Sequence, residues 1–200
     1  IMGESDTNLD TVPKILSRNV SKFGNSPAYR EKEFGIWQTW TWSEANNEIM
    51  GLAKGLIDLG VKEGDHLAVI GRNRPYLYWS LVAAQHIGAV PVPLYQDAVA
   101  EEMEYILTHC SAKFAIVGDQ EQVDKIHEIK EKVKELKEIV FVDPKGLRKY
   151  DKKNLHQFDD VLAKGKADQG KLQSELEKRV TKINGDTTCV LLYTSGTTGK

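Results

Sequence analysis

Apolar positions along the chain follow two periods, and the places where one gives way to the other mark its elements. Thr11 and Pro13 suit a helix start, and Val12, Ile15, Leu16, Val20 and Phe23 then recur at helical spacing as far as Gly24. That spacing predicts a helix with one buried face. Ala28–Lys32 and Ile36–Thr41 flank a short turn at Gly35, and their β-branched and aromatic content predicts a hairpin. Trp37, Trp40 and Trp42 are read as packing residues of that hairpin rather than as an aromatic ligand box.

Thr41-Trp42-Ser43-Glu44 has the form of a capping box, so a helix follows, with Ala45, Ile49, Leu52, Ala53, Leu56 and Ile57 as its apolar stripe and Gly60 ending it. Leu67–Ile70 is a continuous apolar run, as expected of a strand covered on both faces. From there strand and helix alternate. The reading is a Tyr76–Ile87 helix, a Val90–Leu94 strand, a Glu101–His109 helix, a Phe114–Val117 strand, a Gln120–Leu136 helix, an Ile139–Val142 strand and a closing Thr188–Tyr193 strand. This predicts an α/β fold, a doubly wound and mainly parallel sheet flanked by helices, with a small N-terminal β-hairpin. Pro91 and Pro93 cannot donate to a ladder, so their strand is expected to be short, irregular or near an edge. The Gln120–Glu138 segment carries many charges, but its Val123, Ile126, Ile129, Val133 and Leu136 stripe favours a solvated amphipathic helix over a partner surface. Between Asp143 and Lys171 the periodicity fails, which predicts an excursion from the sheet with one short helix around Phe158–Leu162, followed by a Leu172–Val180 helix.

Composition narrows the function classes. Two hundred residues, 40% hydrophobic and 28% charged, suffice for one well-buried domain or part of a larger one. A net charge of -2, with both signs interspersed, offers no basic surface for nucleic acid. Cys110 and Cys189 lie far apart in apolar contexts and read as buried, reduced thiols, and His109 beside Cys110 makes a poor metal site. With no long apolar run and no charged-then-apolar leader, neither a transmembrane helix nor a signal peptide is expected, and the location expected is cytoplasmic.

The chemistry is concentrated at the end of the sequence. Cys189 to Tyr193 is β-favouring, and Thr194-Ser195-Gly196-Thr197-Thr198-Gly199 then brings glycines and hydroxyls together. Glycines let backbone N–H groups approach a ligand closely and the hydroxyls add donors, a combination suited to a polyphosphate. It is not a Walker A loop, because the glycine required five residues before Gly199 is Thr194. A Gly/Ser/Thr linker is the plainer alternative, and the strand-like run directly before it argues against one.

This terminal run resembles the phosphate-binding motif of the adenylate-forming superfamily, which includes acyl-CoA synthetases, luciferases and peptide-synthetase adenylation domains. Lys200 falls at that motif's variable position and receives no role. Further motifs occur in the order seen at the start of long-chain acyl-CoA synthetases. They are Thr41-Trp42-Ser43-Glu44, Gly64 to Ile70, Asn73-Arg74-Pro75, Gly88 to Tyr95, the Glu101-Glu102 and Glu121 to Lys125 segments, and Gly146 to Tyr150. The resemblance therefore covers nearly the whole chain.

The resemblance implies that residues 1–200 are the N-terminal portion of an AMP-binding domain, cut within the phosphate-binding motif, from an ATP-dependent acid–thiol ligase acting on a long-chain fatty acid. Thr194, Ser195, Gly196, Thr197, Thr198 and Gly199 would bind the β- and γ-phosphates. It implies no catalytic residue and no metal ligand within the chain, with ATP, magnesium and coenzyme A as cofactors. Fatty acid, ATP and coenzyme A are the implied partners, with peripheral membrane contact a further expectation. The isolated chain is expected to be inactive. Its Leu67–Ile70, Phe114–Val117 and Val190–Tyr193 strands are expected to lack part of their cover, so that copies self-associate. Two other readings stay open: a self-contained α/β phosphate-binding or regulatory module, and a ligase for an aryl or amino acid.

Overall fold

The computed structural model describes residues 9–194. Helix α1 (Val12–Phe23) starts at Thr11, whose hydroxyl accepts from the Lys14 N–H. Its apolar face is only partly filled: Pro13 and Leu16 are buried, while Ile15 and Phe23 are exposed. Strands β1 (Pro27–Glu33) and β2 (Ile36–Thr41) form the expected antiparallel hairpin. Trp40 and Trp42 pack on the core, and Trp40 meets Trp79 edge-on with ring centroids 5.4 Å apart. Trp37 does not pack there. It is exposed on the opposite face of the hairpin, because strand alternation turns it away whenever Trp40 faces in, across the odd spacing between them.

The capping box forms as read: Thr41 accepts from the Glu44 N–H, Glu44 accepts from the Thr41 N–H, and helix α2 (Trp42–Asp58) follows. Gly60 then takes φ 98°, a left-handed conformation open to glycine, as the chain leaves the helix.

Strand β3 (His66–Ile70) lies inside a parallel sheet whose other strands are β4 (Val90–Leu94), β5 (Phe114–Val117), β6 (Glu138–Phe141) and β7 (Leu155–Gln157). The sheet has five strands in the order β4-β3-β5-β6-β7, a doubly wound order that reverses between β3 and β5. Helices α3 (Pro75–His86), α4 (Ala100–His109) and α5 (Gln120–Glu128) make the crossovers, and α6 (Phe158–Lys166) and α7 (Lys171–Lys182) follow the last strand. Leu67 and Val69 face a core shared with α1, α2, α3, α6 and α7. Ala68 and Ile70 face a second core with α4 and α5. Every residue of the Leu67–Ile70 and Phe114–Val117 runs is buried, so the expected shortage of cover does not occur there: the chain supplies helices to both faces of its own sheet.

Two elements differ from the sequence reading. Helix α5 stops at Glu128, and turns from Ile129 to Leu136 keep Ile129 and Val133 buried while delivering Lys137 to the Lys113 carbonyl, where β6 begins. The region expected to leave the sheet instead adds its edge strand β7, after a 3-10 turn at Leu147–Lys149. Helix α6 then packs on α2 through glycines. A Cβ on Gly165 would sit 1.8 Å from the Gly51 carbonyl oxygen, and one on Gly55 would sit 2.1 Å from that of Val161. Gly165 therefore marks a close helix crossing, although its composition reads as loop.

Substituting alanine at Gly165 should force these helices apart and lower stability by about 1–3 kcal/mol, the usual cost of overpacking; denaturant unfolding would measure it, against a Lys164→Ala control at an exposed position of the same helix. A second prediction concerns His86. Burial pushes this imidazole below its usual range, and its Nδ1 lies 2.8 Å from the Val82 carbonyl oxygen, to which the neutral ring donates. The unfolded chain binds a proton here at higher pH than the folded one, so the stabilisation is complete above about pH 6.5 and is lost as pH falls below it. Thermal melts between about pH 7.5 and about pH 5.5 should show a fall in Tm that is smaller in His86→Gln.

Candidate functional site

In doubly wound sheets the customary ligand crevice lies outside the carboxyl ends of the strands where the order reverses. Here that point lies between Gly71, after β3, and Gly118, after β5. It is filled from within. The Tyr76 hydroxyl accepts from the Arg72 N–H at 3.1 Å, and a Cβ on Gly71 or Gly118 would meet that hydroxyl at 2.4 or 2.8 Å. Burial raises the Tyr76 pKa, so the phenol stays neutral. Glycine at both positions gives the Tyr76 ring room to seat between the two strand ends.

The terminal run is held elsewhere, beside the free edge of β4. Gln85 Nε2 donates to the Cys189 carbonyl at 2.7 Å, the Leu191 N–H donates to the Pro91 carbonyl at 3.1 Å, and Tyr193 pairs through its hydroxyl with His109 Nδ1 at 2.6 Å. The His109 ring is stacked on Tyr105 and meets Tyr193 edge-on. Leu191 and Tyr193 pack against the second core, whereas Leu192 is exposed. Thr188–Tyr193 is therefore not the closing strand of the sheet that its composition predicts.

The reason lies in β4. The Pro91 carbonyl points outward to Leu191, and alternate residues of a strand direct their polar groups to the same side, so Pro93 faces outward too. Both outward positions lack an N–H. The prolines thus cost β4 nothing in its full register with β3, and they leave its outer edge able to accept but not to donate. A strand laid against that edge gains only half a ladder.

Burial pushes the Tyr193 pKa up to about 12, with the neighbouring Cys110 thiol adding to the shift. Burial also raises the Cys110 thiol, so neither group is an activated nucleophile at neutral pH. Cys189 is exposed, contrary to the expectation of a buried thiol, because the run lies on the edge rather than inside the sheet. Of the six candidate phosphate-binding residues, Thr194 is exposed directly after the anchored Tyr193. Ser195, Gly196, Thr197, Thr198 and Gly199 lie outside the described residues. Gln85, Tyr105 and His109, which hold the run in place, carried no motif. Only the tertiary fold brings them to residues some eighty to one hundred positions later. No described group of three His, Cys, Asp or Glu side chains is arranged to hold a metal ion.

Comparison with known proteins places these observations. Residues 16–200 match the family model described as AMP-binding enzyme. A long-chain-fatty-acid–CoA ligase of Xenopus laevis is 26% identical over 190 residues, which are 95% of this chain and 25% of that protein. One from Mycobacterium bovis is 29% identical over 168 residues, 83% of this chain and 26% of its own length. The chain thus spans about a quarter of these curated relatives. A crystal structure of a long-chain-fatty-acid–CoA ligase from Archaeoglobus fulgidus matches the fold with a TM-score of 0.71 at 20% identity, covering 90% of this chain and 34% of that one.

If the Tyr193–His109 contact anchors the run, Tyr193→Phe should speed limited proteolysis after residue 190 while changing global stability by about 1 kcal/mol or less, the net worth of one hydrogen bond. Unaltered cleavage at that site would assign the anchoring to the Leu191 contact instead.

Proposed function

The chain belongs to the AMP-binding enzyme family, and from that premise we propose that it forms the N-terminal part of an ATP-dependent ligase that joins a long-chain fatty acid to coenzyme A. In this reading a carboxylate oxygen attacks the α-phosphorus of ATP and pyrophosphate leaves, giving an acyl-adenylate. The coenzyme A thiol then attacks the acyl carbon, and AMP leaves with the electron pair of the broken C–O bond. The observation that carries the reading is the family match itself, which runs through Thr194–Gly199 and includes the ordered motifs before it.

Within this chain the proposed work is electrostatic. Negative charge gathers on the departing pyrophosphate, and the Thr194–Gly199 loop would meet it with backbone N–H groups and with the hydroxyls of Thr194, Ser195, Thr197 and Thr198. Magnesium, which would offset phosphate charge when bound, finds no cluster of ligands among the described residues and would arrive with the nucleotide. Tyr193 and His109 would act as positioning residues that fix where the loop begins. The fatty acid as substrate is favoured by the relatives' names, and an aryl or amino acid is the reading it must displace.

In the longer protein proposed here, Ser195→Ala with Thr197→Ala should slow ATP–pyrophosphate exchange by on the order of 10²–10³, the measured scale for losing a donor to developing charge, and should slow thioester formation from added acyl-adenylate less. Exchange at the unaltered rate would remove these hydroxyls from the mechanism. Exchange supported by benzoate or an amino acid but not by palmitate would reassign the substrate.

A further inference from the structure

The outer end of the β1–β2 hairpin has features that neither the core nor the proposed chemistry uses. Phe34 and Gly35 form its two-residue turn with φ 48° and 79°, the left-handed pair for which Asn-Gly is the favoured sequence. A bulky aromatic is a poor choice at the first of these positions. Phe34 is nevertheless there, 94% exposed, with Ile36 at 65% and Trp37 at 58% beside it. Folding gains nothing from this arrangement, since the side chain is in water and the backbone is in a region that Phe disfavours.

The charges around the tip are sorted by face. Glu31 and Glu33 lie on the inner face, where the Arg74 guanidinium binds both, at 2.7 Å and 3.0 Å. Arg30 and Lys32 lie on the outer face with Trp37, Arg30 over its ring at 5.1 Å and Lys32 paired across the strands with it. The outer face therefore presents two cations and an indole, with Phe34 at the apex and no acidic side chain. Among the described residues, no helix is long and apolar enough to cross a membrane.

We propose that the Phe34 tip of this hairpin seats on an anionic bilayer surface, with Phe34 and Trp37 entering the headgroup boundary and Arg30 and Lys32 facing the lipid phosphates. Aromatic rings favour that boundary, and each basic residue near such a surface adds attraction that salt weakens. The inference rests on the hairpin alone and does not depend on the ligase reading.

The test is co-sedimentation of the 200-residue chain with large vesicles of phosphatidylcholine, with and without phosphatidylserine, alongside thermal melts and light scattering of the same samples. The expected result is binding to the phosphatidylserine vesicles that falls with added salt. Phe34→Asn, which suits the turn, should weaken binding by about tenfold while melting at the same or a higher temperature. Arg30→Glu with Lys32→Glu should weaken it at least as much. Three outcomes overturn the proposal: no binding by the unaltered chain, equal binding by Phe34→Asn, or a concentration-dependent dimer that Phe34→Asn abolishes, which would seat the tip on a second copy.

Discussion

The structure depends on the burial of β3 on both faces. Leu67 and Val69 meet one core and Ala68 and Ile70 the other, so four consecutive residues lose contact with water while the strand gains a ladder on each side. Such a strand forces the chain to supply helices above and below the sheet, and it does so within its described length. At about 25 cal/mol per Å² of apolar surface removed from water, the two cores dominate the favourable side of folding. The glycine-lined crossing of α2 and α6 closes one of them, and Asp65, held by the Lys62 N–H and the Lys113 ammonium, fixes how the chain enters β3.

A second constraint governs where chemistry is placed. The outward groups of Pro91 and Pro93 deprive the β4 edge of donors, so the terminal run cannot join the sheet as an ordinary strand. Side chains take over what the ladder cannot do: Gln85 and His109 grip the run at Cys189 and Tyr193. Meanwhile the Tyr76 hydroxyl sits between Gly71 and Gly118, at the point where the strand order reverses.

Much of this was legible from residue types. Helix starts at Thr11 and Thr41 and the parallel strands β3 to β6 follow from caps and apolar runs, and of the alternatives that the prolines left for β4 the structure takes the edge position with a regular register. What escaped was non-local. β7 is three residues long and too short to register a period, Gly165 reads as loop until its partner on α2 is known, and the C-terminal half of the expected Gln120–Leu136 helix keeps its apolar spacing while folding as turns. The candidate site divides in the same way. Its phosphate-suited composition is plain in Thr194–Gly199, whereas its supports at Gln85, Tyr105 and His109 are ordinary surface residues that only tertiary contact makes meaningful. Trp37 is the instructive error, because hydrophobicity alone does not say which face of a two-stranded hairpin meets the core.

Amide hydrogen exchange on the proposed longer ligase, with and without magnesium and a non-hydrolysable ATP analogue, tests the central claim most directly. The account predicts slowed exchange in the peptide spanning residues 190–200, where nucleotide phosphates would engage loop N–H groups, with β3 and the Tyr76 crevice unchanged. Protection centred on Gly71 and Gly118, with none at residues 194–199, would contradict it.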